Sequence, residues 1–186
     1  MQSNKAFTLI EILITLSITF ILLFISISSF KHLYLQTSDD VVRNQLIHAI
    51  QFAKNESRVR YQSIGLCKSE NYLNCSGNWE DGQIVFLDKH NDGKIHNTND
   101  ILLKIDMPLK HGKLYWREFP VYRDYVVFSP ASLLQSDNGT FWYCNTKSLL
   151  VWAIVLNKSG NLRIAYPDKN GVIKDGEDKP LKCKRD

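Results

Sequence analysis

Lys5-Ala6-Phe7-Thr8-Leu9-Ile10-Glu11-Ile12-Leu13 leads into nineteen residues, Ile12 to Phe30, that carry no charge and are mostly Ile, Leu and Phe. About 20 apolar residues span a bilayer core, so this run nearly suffices as a membrane segment. After Phe30 the sequence turns polar and mixed, as in a water-facing domain. A cleaved secretory signal fits poorly. Lys5 is the one early cation, the apolar run is too long, and no small-x-small site precedes Lys31. A plain anchor does not account for Glu11. A carboxylate costs about 2.5–3.5 kcal/mol at mid-membrane, less near the edge, and is retained where a charge partner meets it. Cleavage between Ala6 and Phe7 would supply that partner as a new amine, four residues from Glu11 on one helix face. Between staggered copies, the carboxylate of one chain could neutralise the amine of the next.

These residues resemble the class III signal of type IV prepilins and type II secretion pseudopilins. The resemblance implies that a prepilin peptidase in the membrane cuts between Ala6 and Phe7 and methylates the Phe7 amine. It also implies that Glu11, fifth in the processed chain, guides packing into a filament. Ala6 stands where that family usually has Gly.

Outward from this segment the reading is helical. No Gly occurs before Gly65 and no Pro before Pro108, so the strongest helix breakers are absent from the first 64 positions. Val42, Leu46, Ala49, Ile50, Ala53 and Ser57 recur at helical spacing, while Arg43, His48, Gln51, Lys54, Asn55 and Arg58 fall on other faces. A helix from Phe7 to about Tyr61 would be roughly 80 Å long. Ser38-Asp39-Asp40 is a candidate for a kink or a new N-cap within it.

Beyond Gly65 the pattern becomes short β-rich runs: 64–67, 83–87, 101–105, 113–116, 125–128, 140–144, 149–156 and 161–166. Turn residues separate them at Asp81-Gly82, Asn91-Asp92-Gly93, Asn138-Gly139 and Ser159-Gly160. The expected fold class is α+β. A long N-terminal helix, half transmembrane and half amphipathic, packs on a C-terminal antiparallel β-sheet head. The expected organisation is a cleaved leader at 1–6, a membrane and filament-core helix at 7–30, an amphipathic helix at 31–63 and an exported head at 64–186. Cys67, Cys75, Cys144 and Cys183 all lie in the head. An even number beyond a membrane segment points to two disulfides in an oxidising compartment, and four cysteines allow three pairings. The spacing holds no C-x-x-C pair, which argues against a zinc site.

The head adds to the resemblance. Asn44-Gln45-Leu46 through Ser57, Ile64-Gly65-Leu66-Cys67, Trp79-x-x-Gly82, Gly139-Thr140-Phe141 and Ser159-Gly160 into Arg163 are similar to the GspH/FimT/FimU-like branch of minor pilins and pseudopilins. That resemblance implies pairing of Cys67 with Cys75 and of Cys144 with Cys183. DNA-uptake members of the family carry a G-R-x-R motif near the C-terminus. Here the residues are Gly160-Asn161-Leu162-Arg163, with the second arginine present and the first replaced.

Recognisable catalytic motifs, phosphate loops and dinucleotide fingerprints are absent from the sequence, and its five histidines are scattered, so an enzyme is not expected. Asp88 to Ile95 resembles the start of a calcium loop. His90 takes a ligand position and Asn99 stands where the bidentate Glu belongs, so a polar hairpin turn is expected instead. No metal and no cofactor are expected. From Lys158 onward there are eight basic residues and five acidic ones. Lys158, Arg163, Lys179, Lys182, Lys184 and Arg185 are the candidate phosphate contacts for DNA, against the plainer reading of a solvated basic tail.

The expected protein is a single-pass inner-membrane subunit with its head in the periplasm, reaching a filament tip or the cell surface after assembly. Its expected partners are other minor pilins or pseudopilins, the major subunit, the prepilin peptidase and, for DNA uptake and competence, DNA. Two alternatives stand beside it: pseudopilin H of a type II secretion system, and a stand-alone membrane-anchored binding protein.

Overall fold

The structure is a computed structural model that describes residues 8–107, 112–136, 138–145 and 149–183, without the side chains of 25–37. Its first element, α1, spans Leu9–Arg60 as one helix of 52 residues. The backbone stays helical through Ser38-Asp39-Asp40, so no new helix starts there. The reason lies in how Asp39 is used. Its carbonyl accepts the Trp152 indole N–H at 3.1 Å, and its carboxylate bonds the Tyr143 hydroxyl. The helix ends with Tyr61 in the left-handed region (φ 55°) and the Gln62 N–H returning to the Ser57 carbonyl. That is a Schellman closure with Tyr in the place glycine usually takes.

The chain forms two compact units, 1–38 and 39–186. In the first unit, every large apolar side chain from Leu9 to Phe24 is at least 50% exposed. Nothing among the described residues of the unit covers them. Among the described residues no helix is long and apolar enough to cross a membrane. The apolar run of the sequence continues to Phe30, past the last described side chain of this stretch. The expected leader and Phe7 also lie outside the described residues.

The second unit holds the rest of α1 and eight strands: β1 Ile64–Lys68, β2 Gly82–Leu87, β3 Ile101–Asp106, β4 Gly112–Phe119, β5 Tyr125–Phe128, β6 Asn138–Asn145, β7 Leu150–Asn157 and β8 Leu162–Ala165. Each falls on a run read from the sequence. They form two antiparallel sheets, ordered β3-β2-β1-β5 and β4-β6-β7-β8. Val42, Leu46, Ala49, Ile50 and Ala53 of α1 are buried in one cluster with Ile64, Leu66, Val85, Val126 and Phe128 of the first sheet. Phe141, Tyr143, Trp152, Ile154 and Leu156 of the second sheet join the same cluster. Each such side chain contributes about 1.5–3 kcal/mol on burial, so the apolar stripe is what fastens the helix to the head.

Two glycines mark close approaches. A Cβ on Gly65 would stand 2.4 Å from the Phe86 ring, and one on Gly139 would stand 2.0 Å from the Trp116 ring. Both rings lie across a neighbouring strand where any side chain would clash. The bare face of the second sheet is covered by the C-terminal segment. There Ile173 and Leu181 pack on Ala153, Trp142 and Ala165.

Candidate functional site

Three groups of residues are placed where chemistry or assembly can use them. The first is Glu11, in the first turn of α1, whose N–H bonds the Thr8 carbonyl at 3.1 Å. Its side chain is exposed and has no hydrogen bond or ion pair among the described residues. Around it stand Leu9, Ile10, Ile12, Leu13 and Ile14, all exposed. A carboxylate in a greasy surface without a partner of its own is a group placed to meet one from elsewhere.

The second group is the β7–β8 hairpin with the tail. The Asn157–Asn161 turn seats Gly160 at φ 65°, with the Ser132 carbonyl and the Lys54 side chain pressed close. Asn161 accepts a hydrogen bond from Lys54 Nζ at 3.1 Å, so this position holds the hairpin to α1. Lys158 is exposed at the same turn, and its carbonyl accepts the Leu134 N–H. Arg163 is exposed on β8, opposite Val155, and forms no ion pair among the described residues. Lys179 and Lys182 sit elsewhere, on the tail. Lys179 is paired with Glu177 at 2.7 Å, and the Lys182 carbonyl accepts the Trp142 indole N–H. Lys184 and Arg185 lie outside the described residues. Thus Lys158 and Arg163 share one hairpin, and the tail cations are partly neutralised by their own acids.

The tail is fixed at both ends. Cys144 on β6 is bonded to Cys183, and Cys67 on β1 to Cys75, both within ordinary disulfide Cα separations at 5.9 and 5.6 Å. Asp175 is 8% exposed, pairs with Arg117 of β4 and accepts the Glu177 and Lys179 N–H groups at 2.9 Å. Burial alone would raise its carboxyl pKa, but those N–H groups and the guanidinium outweigh it and hold the value below 3.8.

The third group is the Asp88 loop. The buried Asp88 carboxylate accepts the Asp92 and Gly93 N–H groups at 3.1 Å each, closing a polar turn in which Asn91 is left-handed. Burial raises the Asp88 carboxyl, and these N–H bonds oppose the rise. The loop's carboxylates are spent on its own backbone and side chains: Asp92 meets the His96 ring at 2.9 Å and Asp100 meets Lys89 at 2.6 Å.

The sequence reading missed one feature, a cleft along β4 lined by Tyr115, Trp116 and Trp142. Its signal was present in the adjacent aromatics Tyr115-Trp116 flanked by Lys113 and Arg117, but which strand edge stays open is set by sheet order.

A long helix fastened by its apolar stripe to an antiparallel β head, with a lone carboxylate in its uncovered apolar half, defines a pilin-type filament subunit. Residues 1–27 match the prokaryotic N-terminal methylation motif, and residues 43–160, more than half of the chain, match the model of the type II transport protein GspH. The chain belongs to the GspH family, minor pilins and pseudopilins of type IV pili and type II secretion systems. Among solved structures it is similar to the type IV minor pilin FimU of Pseudomonas aeruginosa, at 15% identity over 73% of this chain and 90% of that one, with a TM-score of 0.50. A second crystal form of FimU aligns at 16% identity over 70% and 92%, with a TM-score of 0.48. The minor pseudopilin EpsH of the Vibrio cholerae type 2 secretion system aligns at 11% identity over 72% and 96%, with a TM-score of 0.43. At these identities the likeness is one of fold. No curated protein sequence matches the chain.

Proposed function

We propose that this chain is a minor pilin, processed between Ala6 and Phe7, that primes or caps a type IV filament from the inner membrane. The observation that carries this reading is Glu11, exposed in an apolar helix with no partner among the described residues. A methylated Phe7 amine from an adjoining subunit is a partner of the right sign at the right depth. Before assembly the apolar half of α1 would sit in the inner membrane with the head in the periplasm, where both disulfides can form. The work is mechanical, with helices packing in the filament core and the head presenting a surface. The expected partners are the major subunit, other minor subunits and the prepilin peptidase. The test is the N-terminal mass of membrane-extracted protein. A chain starting at methylated Phe7 is expected, and an intact Met1 would overturn the reading in favour of a stand-alone anchored binding protein.

The same fold serves a pseudopilin H role in type II secretion. Four cysteines and the basic tail incline the reading towards the pilus. Neighbouring genes for minor pilins, rather than a secretion operon, are the expected context.

DNA uptake is a finer reading of the head, supported by Arg163, exposed and unpaired among the described residues, on the hairpin that carries Lys158. Lys182, Lys184 and Arg185 are candidate contacts on the separate C-terminal tail, whereas Lys179 is engaged by Glu177. Phosphate contacts give affinity that falls steeply with salt. Arg163→Ala with removal of the segment from Lys182 onward is expected to abolish DNA retention at low salt. Unchanged retention would end the DNA reading and leave the filament role standing.

A further inference from the structure

A cleft of about 510 Å3 runs along five consecutive residues of the edge strand β4, Lys113 to Arg117. Small-molecule pockets span roughly 300–1,000 Å3, so the size suits a ligand of a few rings. Tyr115 and Trp142 stack at 5.3 Å and 17°, both half-buried, and Tyr122 stands at the lining 61% exposed. The stack covers one face of each ring, and Arg117 and the tail lie on Trp142, so Tyr115 and Tyr122 supply the open aromatic surface beside the polar groups.

The strand edge adds donors and acceptors. The Leu114 N–H turns away from β6 and donates to Glu80 at 3.3 Å. In an antiparallel strand every second residue points the same way, so the Trp116 N–H and carbonyl are directed to this side too. Three observations narrow the occupant. Each cation of the lining has an acid beside it: Lys68 lies 3.3 Å from Asp124, Arg117 pairs with Asp175, and Lys113 acts on Glu80. A polyanion would find little uncompensated charge. An added β-strand is also disfavoured. Glu80 occupies the edge at Leu114, and the Trp116 indole holds Arg123 at 3.0 Å, leaving roughly 7 Å of strand between these two residues. Aromatic rings beside the carboxylates of Glu80 and Asp124 suit a short, uncharged, hydroxyl-rich ligand. The C–H faces of sugar rings carry slight positive charge and fit the negative faces of aromatic rings.

We infer that this cleft binds a short neutral oligosaccharide, its ring faces on Tyr115 and Tyr122 and its hydroxyls on Glu80, Asp124 and the β4 backbone. This goes beyond the filament role and rests on different residues. The test uses the full chain in a zwitterionic, sugar-free detergent, titrated with chitotriose and with maltotriose and read by tryptophan emission. Saturation of at least one sugar, with a Kd between about 0.1 and 10 mM, is expected. Tyr122→Ala and Tyr115→Ala should each weaken it about tenfold, while Lys169→Ala, at an exposed residue outside the cleft, leaves it unchanged. Near-UV circular dichroism checks the fold of each variant. If Tyr115→Ala does not fold, the exposed Tyr122 decides alone. Failure of both sugars to saturate, equal affinity in the tyrosine variants, or saturation by oligo-dT or an extended peptide in place of the sugars would each overturn the inference.

Discussion

The Trp152 indole donates its N–H to the Asp39 backbone carbonyl at 3.1 Å, fixing the start of the head-bound part of α1 to the middle of β7. Trp152 is wholly buried and stacks on Tyr143 at 5.2 Å, and the Tyr143 hydroxyl bonds the Asp39 carboxylate. Burial and the nearby Asp39 charge push that phenol's pKa upward, so it stays protonated and serves as a donor. Trp152→Phe keeps an aromatic ring but removes the donor. It is expected to cost about 1–3 kcal/mol, read as a lower urea midpoint with an unchanged slope. A midpoint equal to that of the unaltered protein would show that the bond contributes nothing.

The two disulfides close loops of very different length, 39 residues for Cys144–Cys183 and 8 for Cys67–Cys75. Chain entropy then orders their contributions at about 4 and about 2.5 kcal/mol. Double Cys→Ser replacement at Cys144 and Cys183 is expected to lower stability more than the same change at Cys67 and Cys75. Paired urea melts give the comparison, and the reverse order would show that local packing outweighs loop closure.

Asp175 links tail stability to pH. Its carboxyl is held below the ordinary value of 3.8, so the folded state binds the proton less readily than the unfolded chain. The contribution is therefore complete above that ordinary value and disappears as pH falls through the depressed one. The stability gap between the unaltered protein and Asp175→Asn is expected to be widest at neutral pH and to narrow below about pH 4. Asp88, Glu80 and Glu118, raised by burial, are common to both proteins and drop out of the difference. A gap that stays constant from neutral pH to pH 3 would show that Asp175 acts by shape alone.

Glu11→Gln removes the charge and keeps the size. The variant is expected to fold and to be processed, yet to be missing from sheared filaments. Immunoblots of filament and membrane fractions separate these outcomes, and normal incorporation would refute the role assigned to the carboxylate.

The helix and all eight strands were legible because periodicity and turn residues are local signals. Val42 to Ala53 showed a stripe at helical spacing, and the strand runs were bounded by pairs such as Asn138-Gly139. The assignment of strands to the two sheets, and their order, was not legible. β5 pairs with β1 across some sixty residues of chain, while β4, its predecessor, belongs to the other sheet. Such choices are made by long-range packing. Ser38-Asp39-Asp40 was open to two readings for a related reason, since capping residues look alike whether they cap a helix or bond to a strand far along the chain. The tail carries little periodicity, so its packing of Ile173 and Leu181 on the second sheet was likewise hidden. For the sites, Glu11 stood out by contrast with its neighbours, whereas the β4 cleft exists through tertiary assembly alone.

The Lys54–Asn161 contact has a consequence for any arginine placed at position 161. Position 161 is already spoken for by an ammonium group that needs an acceptor in front of it. A guanidinium installed there would confront a like charge and loosen the very turn on which Arg163 is displayed. In this chain the amide at 161 serves the helix as an acceptor, a duty no cationic side chain can take over.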